Sequence, residues 1–390
     1  MKSRIRTAIV LAVVAALSPV LAACWDKTEL NQLALVSMAG VDSDPESGEI
    51  TVYYQIINPL SGPSAKGMPG GSEQSPVYTY AIKGRSYGEI RSNIYKILPR
   101  KLFVAHYKVI IVSQRAAKQG IRNLINFIEM MPTNRAAVPM LVAAEPIDRI
   151  MNTITPLEKV PSDAIVSRLD MLIDHSLIAG KQNNINDLIE RMEKSDPIVM
   201  PILSSKTESD PSNSGGISAN INANQNSFII GGGAVFQDYR MTGELTDQEL
   251  VWYHLLNGER GRQVRRFVIG GKPVSIEWRL VHLERTVQRE QDRPVVRIHL
   301  ELEFSSLYSS EYLPRTSQEI QRMEHQIGGI ISDELEAFYE KMKEQGWDLL
   351  RIKDLLRRNR FPDAESAYKQ AEVVISARAQ LSEVGMSSHY

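Results

Sequence analysis

Cys24 is the only cysteine among the 390 residues, so no disulfide can form within one chain. The fold must therefore be held together by its apolar core. Hydrophobic residues make up 43% of the sequence, which is enough to build two or three domains over this length. The formal net charge is −1, from 45 basic and 46 acidic residues. Charges of this kind, mixed along the chain, argue against nucleic acid as a partner.

The sequence before Cys24 has the order of an export signal. Three basic residues lie within the first six positions, and residues 8–17 are all apolar. The small residues Ala22 and Ala23 directly precede the cysteine. This order is typical of a secretory signal peptide. The apolar run is too short for a bilayer span, which needs about 20 residues. We therefore predict a signal peptide over residues 1–23.

The motif that ends in Cys24 also predicts a lipid anchor. Leu21-Ala22-Ala23-Cys24 resembles the lipobox of bacterial lipoproteins, in which the cysteine sulfur receives a diacylglyceryl group. A thiolate suits this reaction because it is a strong nucleophile with a near-neutral pKa. The alternative is a cysteine buried in the core, as in many other proteins. We predict lipidation of Cys24, which places Trp25 and Asp26 beside the lipid headgroups as a candidate interface.

The first half of the mature chain alternates between predicted strands and helices. Ser86 and Glu89 form the pattern of a capping box, and the helix that they open has Ile97 on its apolar face. The predicted strands are Leu33–Asp42, Glu49–Asn58, Val77–Gly84, Leu102–Ser113 and Ala137–Ala144. A further helix is predicted over Arg115–Met130, and two or three more between Ile147 and Lys194.

Residues 206–226 interrupt this pattern. They contain no aromatic residue and consist mostly of Ser, Asn, Gly, Asp and Lys, a composition that buries too little apolar surface to offset the entropy of ordering. We predict a flexible linker or a long exposed loop here. The domains are then an N-terminal α+β region over 24–205, which has room for two domains, and a C-terminal α+β domain over 227–390.

The second half carries the strongest periodic patterns. In Arg293–Phe304, apolar residues from Ile298 onward alternate with polar ones, which predicts a sheet with one solvated face. Apolar residues spaced by threes and fours from Ile320 to Met342 predict a long amphipathic helix. The other predicted elements are strand Ser227–Gln237, helix Thr246–Gly258, strand Val274–Glu284 and strand Ala371–Leu381. Because both halves mix strands and helices, the predicted fold class is α+β, with mixed sheets flanked by helices.

The sequence offers little for catalysis. None of the seven histidines has the spacing of a metal site on a helix. His299 and Glu301 share a strand face, with His282 on a neighbouring strand, so a metal pair competes there with a simple solvated face. Gly231–Ala234 lacks the Lys-Ser/Thr of a phosphate loop, and a bulge or a close backbone approach is the better interpretation. His106 lies in a predicted apolar strand, where packing is commoner than ligation, and the face that carries Lys108 is a candidate contact surface.

Several segments together resemble one known family. They are "CWDKTEL" after the lipobox, "GRSYGEI" over 84–90, "LFVAHYKVIIVSQRAAKQGI" over 102–121 and "GGGAVFQDYRMTGELTDQELVWYHLLNG" over 231–258. These resemble the Ger(x)C family, the C subunits of spore germinant receptors in endospore-forming bacteria. The resemblance implies three α+β domains and no catalytic, cofactor-binding or metal-binding residue. Only Cys24 carries over as a functional residue, and the tail around 347–370 matches the family loosely.

The resemblance also implies a function. The chain is expected to be a lipid-anchored, non-catalytic subunit of a nutrient receptor, on the outer face of the cell membrane and in the inner membrane of the spore. Its expected partners are the membrane itself and two integral membrane subunits, an A-type one and a transporter-like B-type one. Two other classes stay open from the residues alone. An exported solute-binding lipoprotein needs a hinged cleft between similar lobes, and a lipid-anchored hydrolase needs a clustered triad or metal set.

Overall fold

A computed structural model describes residues 32–58, 75–130, 137–155, 157–207, 226–290, 293–308, 314 and 316–384. The chain is described below over these ranges. The predicted signal peptide and the Cys24–Asp26 segment lie outside them, as does most of the predicted linker, residues 208–225.

Both halves of the described chain mix strands and helices, as the sequence predicts. The strands are β1 (Leu33–Ser43), β2 (Ile50–Ile57), β3 (Val77–Gly84), β4 (Lys101–Phe103), β5 (Val109–Ser113), β6 (Met140–Ala143), β7 (Ile198–Thr207), β8 (Asn226–Gln237), β9 (Arg240–Leu245), β10 (Arg262–Ile269), β11 (Lys272–Glu290), β12 (Arg293–Tyr308) and β13 (Glu372–Val384). The helices are α1 (Tyr87–Ile97), α2 (Gln114–Gln119), α3 (Arg122–Glu129), α4 (Ile147–Asn152), α5 (Pro161–His175), α6 (Ile185–Glu193), α7 (Asp247–Leu256), α8 (Ser317–Glu344), α9 (Ile352–Arg358) and α10 (Ala364–Gln370). Within these ranges no helix is both long and apolar enough to cross a membrane.

Two sheets organise the molecule, which confirms the mixed α+β class. The first has nine strands in the order β3-β2-β1-β5-β6-β7-β8-β9, with β4 beside the start of β1. Its four central strands are parallel, and antiparallel pairs flank them. One of its faces packs against α1, α2, α3 and α6, and the other against α4 and α5. The second sheet has the order β10-β11-β12-β13 and packs against α8.

The periodic patterns of the second half are confirmed. On β12 the side chains of Ile298, Leu300, Leu302 and Phe304 are at most 1% exposed, while Arg297 and Glu301 face solvent. Helix α8 buries its apolar stripe from Met323 to Met342 against the sheet. Thr316 caps its N-terminus in a reciprocal bond pair with Glu319, as the sequence indicates.

Three predictions for the first half are corrected. The strand predicted over 102–113 is interrupted between Phe103 and Val109, and the helix predicted over 115–130 breaks at Gly120. Gly120 has φ +117°, which L side chains rarely adopt, so α2 ends there and α3 starts anew. Ile97 is 51% exposed rather than packed, because it is the last residue of α1.

Two further predictions, one in each half of the chain, can be compared with the structure. Ser86 caps α1 by accepting the amide of Glu89, but the Glu89 carboxylate accepts from the amide of Arg85 rather than from Ser86, so the box is not reciprocal. In β8, Gly231 and Gly232 lie in a bulge opposite the Pro201–Leu203 stretch of β7. The Asp247 carboxylate accepts from the amide of Gly232 at 2.5 Å. The predicted bulge is confirmed. Its Gly232 amide donates to a carboxylate of the same chain and is therefore not free to bind a phosphate.

The two halves share apolar packing. The core beside the second sheet includes Val199, Val235 and Leu245, which are on strands of the first sheet. Helix α7 lies between the sheets and is buried along its length from Leu250 to Leu256. Strands β7 and β8, which flank residues 208–225, pair with each other in the first sheet. The domain boundaries stay a prediction, but the sheet itself continues from one side of this segment to the other.

Candidate functional site

A groove opens at the end of the first sheet where β1 begins. Its volume is about 560 Å³. We call it the entry groove, because the described chain enters the fold beside it at Leu33. It is lined by Leu35, Ser37, Ile57, His106, Tyr107, Lys108, Ala137, Val138, Pro139, Val160, Asp163 and Val166.

The entry groove exists because one predicted strand is looped out. Both β4 and β5 pair in parallel with β1, so 101–112 follows a single path along it. Six residue steps separate Phe103 from Val109, while their β1 partners, Leu35 and Met38, are only three steps apart. The surplus residues form a turn at 104–108 and place His106 on the surface. The loop is fastened where the amide of Lys108 donates to the carbonyl of Ser37 at 2.9 Å.

One ion pair marks the rim of the groove. Lys108 Nζ lies 2.5 Å from Asp163 Oδ1, with the two side chains 50% and 32% exposed. Asp163 is in the first turn of α5, where a carboxylate interacts favourably with the helix dipole. A pair this exposed contributes only about 0–1 kcal/mol to stability. Its charges therefore remain available for a partner at little cost to the fold.

A buried polar network supports the strands under the groove. Ser37 is 1% exposed, and its hydroxyl donates to the backbone carbonyl and the side-chain oxygen of Gln55, each at 3.2 Å. The amide of Gln55 in turn donates to the carbonyl of Met151 at 2.9 Å. Buried polar groups that are bonded in this way fix a unique arrangement of the elements that carry them. The groove is thus supported by β1, β2 and α4 together.

The structure shows where the histidines discussed above lie. His106 is neither in a strand nor buried, and its ring packs against Phe103 with the centroids 5.3 Å apart. Lys108 does line a surface groove, as its predicted contact role requires. His282 lies directly opposite Glu301, but His299 Nδ1 is 2.9 Å from the Ser376 hydroxyl. Among the described residues no group of three or more His, Cys, Asp or Glu side chains is placed to hold a metal ion.

The solvated face of the second sheet is a ladder of paired charges. Arg279 binds Glu303 on the opposing strand at 2.6 Å, and Arg262 contacts Glu277 at 3.1 Å. These cross-strand pairs satisfy one another. This face therefore presents less free charge than its composition indicates, and the entry groove is the better candidate for recognition.

Some residues of the entry groove could not be predicted from the sequence. Val160 and Asp163 lie more than fifty residues from His106 and have no local pattern in common with it. The packing of α5 against β5, which directly follows the turn at 104–108, brings these segments together. The remaining predicted site residues, Cys24, Trp25 and Asp26, lie outside the described part of the chain.

The fold and the groove define a mixed α+β protein with a surface suited to contacts. Comparison with known families identifies the family to which the chain belongs. Residues 26–205 match the model of the spore germination protein N-terminal domain. Residues 231–385 match the model named spore germination B3/GerAC like, C-terminal. Together these models span most of the sequence, and the chain belongs to the Ger(x)C family of spore germination proteins.

Individual relatives agree with this assignment. Spore germination protein KC of Bacillus subtilis (strain 168) is 32% identical over 155 residues, which are 39% of this chain and 37% of that protein. YfkR of the same organism is 26% identical over 189 residues, 48% of either chain. The matched segments thus span half or less of these curated relatives. The crystal structure of the GerBC protein has the same fold, with a TM-score of 0.53 at 12% identity over 88% of this chain and 97% of that one.

Proposed function

We propose that this chain is the lipid-anchored, non-catalytic C subunit of a nutrient germinant receptor. The observation that carries the proposal is the match of both halves of the chain to spore germination models. The lipobox that ends in Cys24 supports the anchor. Two acyl chains give stable membrane attachment where one gives only marginal binding, and a diacylglyceryl group supplies both.

The short spacing between the anchor and the fold restricts where the entry groove can be. Cys24 is eight residues from Gln32, the first described residue. An extended chain spans at most about 3.5 Å per residue, so this tether reaches no farther than about 28 Å. The start of β1, and the groove beside it, would therefore stay close to the outer face of the cell membrane. Tethering also raises the local concentration of the groove near membrane partners, so a weak interface can be occupied.

The proposed partners follow from the family resemblance. They are an A-type and a transporter-like B-type integral membrane subunit, in the cell membrane and in the inner membrane of spores. The entry groove offers them apolar side chains and one rim ion pair, Lys108–Asp163. An apolar centre with a charged rim is the usual composition of a protein interface. We place the contact with the membrane subunits there.

The alternative classes have less support. A solute-binding lipoprotein closes two lobes around a hinge, but here apolar residues of both halves, such as Val235 and Leu280, lie in one buried core. Opening a hinge would expose that core. A lipid-anchored hydrolase needs catalytic groups close together, and the described histidines are dispersed over both halves.

The anchor is tested by Cys24→Ala. The expected result is an uncleaved precursor that incorporates no labelled palmitate, and spores that respond poorly to nutrients. Mass spectrometry of the N-terminus reads the cleavage site directly. A mature chain cut at another position and without lipid would refute the anchor.

The groove is tested by Lys108→Glu in the full chain. Co-purification with the membrane subunits should fall, because two carboxylates then face each other at the rim. Thermal stability should change little, since the wild-type pair is half exposed. Lys83→Glu is the matched control, because Lys83 and Glu49 form a similar pair at 2.6 Å near the opposite end of the sheet. Equal loss of co-purification in both variants would show that the groove has no special role.

A further inference from the structure

A cavity lies on the face of the first sheet that α1 and α3 cover, and it shares one lining residue, Tyr107, with the entry groove. Its volume is about 290 Å³. Strands β1, β2 and β5 form its floor, and α1 and α3 form its walls. The rings of Tyr87 on α1 and Phe127 on α3 stack across the two helices with their centroids 5.1 Å apart. We call this space the inner cavity.

One polar group at the inner cavity has no partner. Tyr107 lines the cavity and is 6% exposed. Its hydroxyl is buried and forms no hydrogen bond within the described chain. Burial raises the pKa of Tyr107 to about 12, so the hydroxyl stays a proton donor at neutral pH. An unsatisfied buried hydroxyl costs about 1–3 kcal/mol. The oxygen is enclosed by protein, so a ligand acceptor recovers this cost only when the Tyr107 ring turns toward the cavity.

The charged residues that the structure describes at the inner cavity are all cations. Arg91 on α1 and Lys101 on β4 both line it and are both exposed. Neither forms an ion pair with another described residue. None of the described residues that line the cavity is acidic. Two unpaired cations beside an apolar space favour a ligand with an anionic head and an apolar body.

The volume of the inner cavity further limits which ligands can fit. About 290 Å³ lies at the lower end of the range of roughly 300–1,000 Å³ that is usual for ligand pockets. At about 30 Å³ for each water-sized group, such a space takes roughly ten non-hydrogen atoms. A phospholipid with two acyl chains is far too large. A zwitterionic amino acid is disfavoured, because its ammonium group would find no carboxylate among the described residues that line the cavity.

We propose that the inner cavity binds a small single-chain amphipathic anion, of which a medium-chain carboxylate is the simplest example. The apolar chain occupies the space between α1 and α3. The carboxylate lies toward Arg91 and Lys101, and the ligand supplies the acceptor that the Tyr107 hydroxyl lacks. This assignment does not depend on the proposed receptor role.

The test is calorimetric titration of octanoate, below its micelle concentration, into the chain from residue 24 with Cys24→Ser. This chain retains every residue of the three apolar cores, all of which lie at position 34 or later. Saturable one-to-one binding is expected. Arg91→Gln and Lys101→Gln should each weaken it about fivefold, the upper value for an exposed charge pair. Lys96→Gln is the control, because Lys96 is an exposed cation on α1 that does not line the cavity.

Tyr107→Phe separates ligand binding from fold stability. Removing a hydroxyl that has no partner should leave the free protein as stable as before or more stable. It should nevertheless weaken octanoate binding. Absence of octanoate binding, equal affinity of the two charge variants and the wild type, or L-leucine binding as tightly as octanoate would each overturn the proposal.

Discussion

The contact surface between the two halves of the chain, which we call the joint, gives the most specific prediction on stability. Gly243 is on β9 of the first sheet, and Trp347 follows α8 of the second half. A Cβ atom added at Gly243 would lie 2.4 Å from Cζ2 and 2.5 Å from Cη2 of the Trp347 indole. That is about 1 Å inside the 3.4 Å at which ordinary van der Waals contact begins. Gly243→Ala therefore forces two packed groups apart at the joint.

Neither the Trp347 indole nor the backbone at Gly243 can easily move to relieve this overlap. Trp347 is 4% exposed within the apolar core of the second half, and its amide donates to the carbonyl of Met342 at 2.8 Å. Gly243 is held in register with Val235 in the β8–β9 pair. Overpacking of this kind costs about 1–3 kcal/mol. Alanine recovers roughly 0.5–1 kcal/mol of backbone entropy in a strand. The net expected loss in free energy of unfolding is about 1–2 kcal/mol.

Urea unfolding followed by circular dichroism measures this loss. With a slope of about 3 kcal/mol per molar or more for a chain of this length, the midpoint should fall by at most roughly 0.7 M. Gly329→Ala is the matched control, because Gly329 lies within α8 and an added Cβ meets nothing within 4 Å. That variant should gain about 0.5–1 kcal/mol.

A double variant identifies the cause. Trp347→Phe removes the two indole atoms that the new methyl group meets, so the penalty of Gly243→Ala should shrink in that background. Residues in direct contact are expected to show such coupling. A Gly243→Ala protein as stable as the wild type would refute the packing argument. Strictly additive losses in the double variant would do so as well.

Two further predictions concern a buried carboxylate and the N-terminus. Burial opposes ionisation of Asp42, but hydrogen bonds from Arg115 and Ser113 outweigh it and hold the pKa of Asp42 below its usual value. Its stabilising effect is therefore present above about pH 4 and is lost as the pH falls through the lowered pKa. Urea midpoints from pH 3 to pH 7 should show that Arg115→Gln costs about 1 kcal/mol near neutrality and progressively less in acid, whereas a pH-independent difference would contradict this. Trp25→Ala should leave the melting temperature unchanged but reduce the germination response of spores, and a protein that melts several degrees lower would assign Trp25 to packing instead.

Patterns that repeat along the chain were predictable. The stripe from Ile320 to Met342 repeats over several turns, and only one helix face can bury such a stripe. The alternation from Ile298 to Phe304 fixes which face of β12 is buried, because side chains in a strand point to opposite sides in turn. In both cases one local period determines the burial, so no knowledge of the rest of the fold was needed.

The looped-out turn at 104–108 was not predictable. The residues from Leu102 to Ser113 have the composition of one buried strand, and both of its flanks do pair along β1. The interruption depends on the number of β1 residues available opposite it, which is a tertiary property. The split of α2 from α3 did have a local signal in Gly120, but a glycine within an apolar helical pattern is also tolerated at a cost of about 1 kcal/mol.

Tyr107 determines how the two proposed sites have to be separated. It lines both the entry groove and the inner cavity. A substitution there can change receptor contact and ligand binding together, so its effect in spores would not identify either one. Lys108 lines only the groove, and Arg91 lines only the cavity. Lys108→Glu should reduce assembly with the membrane subunits and leave octanoate affinity unchanged, while Arg91→Gln should do the reverse. If both variants change both measurements, the two spaces act as one site around Tyr107.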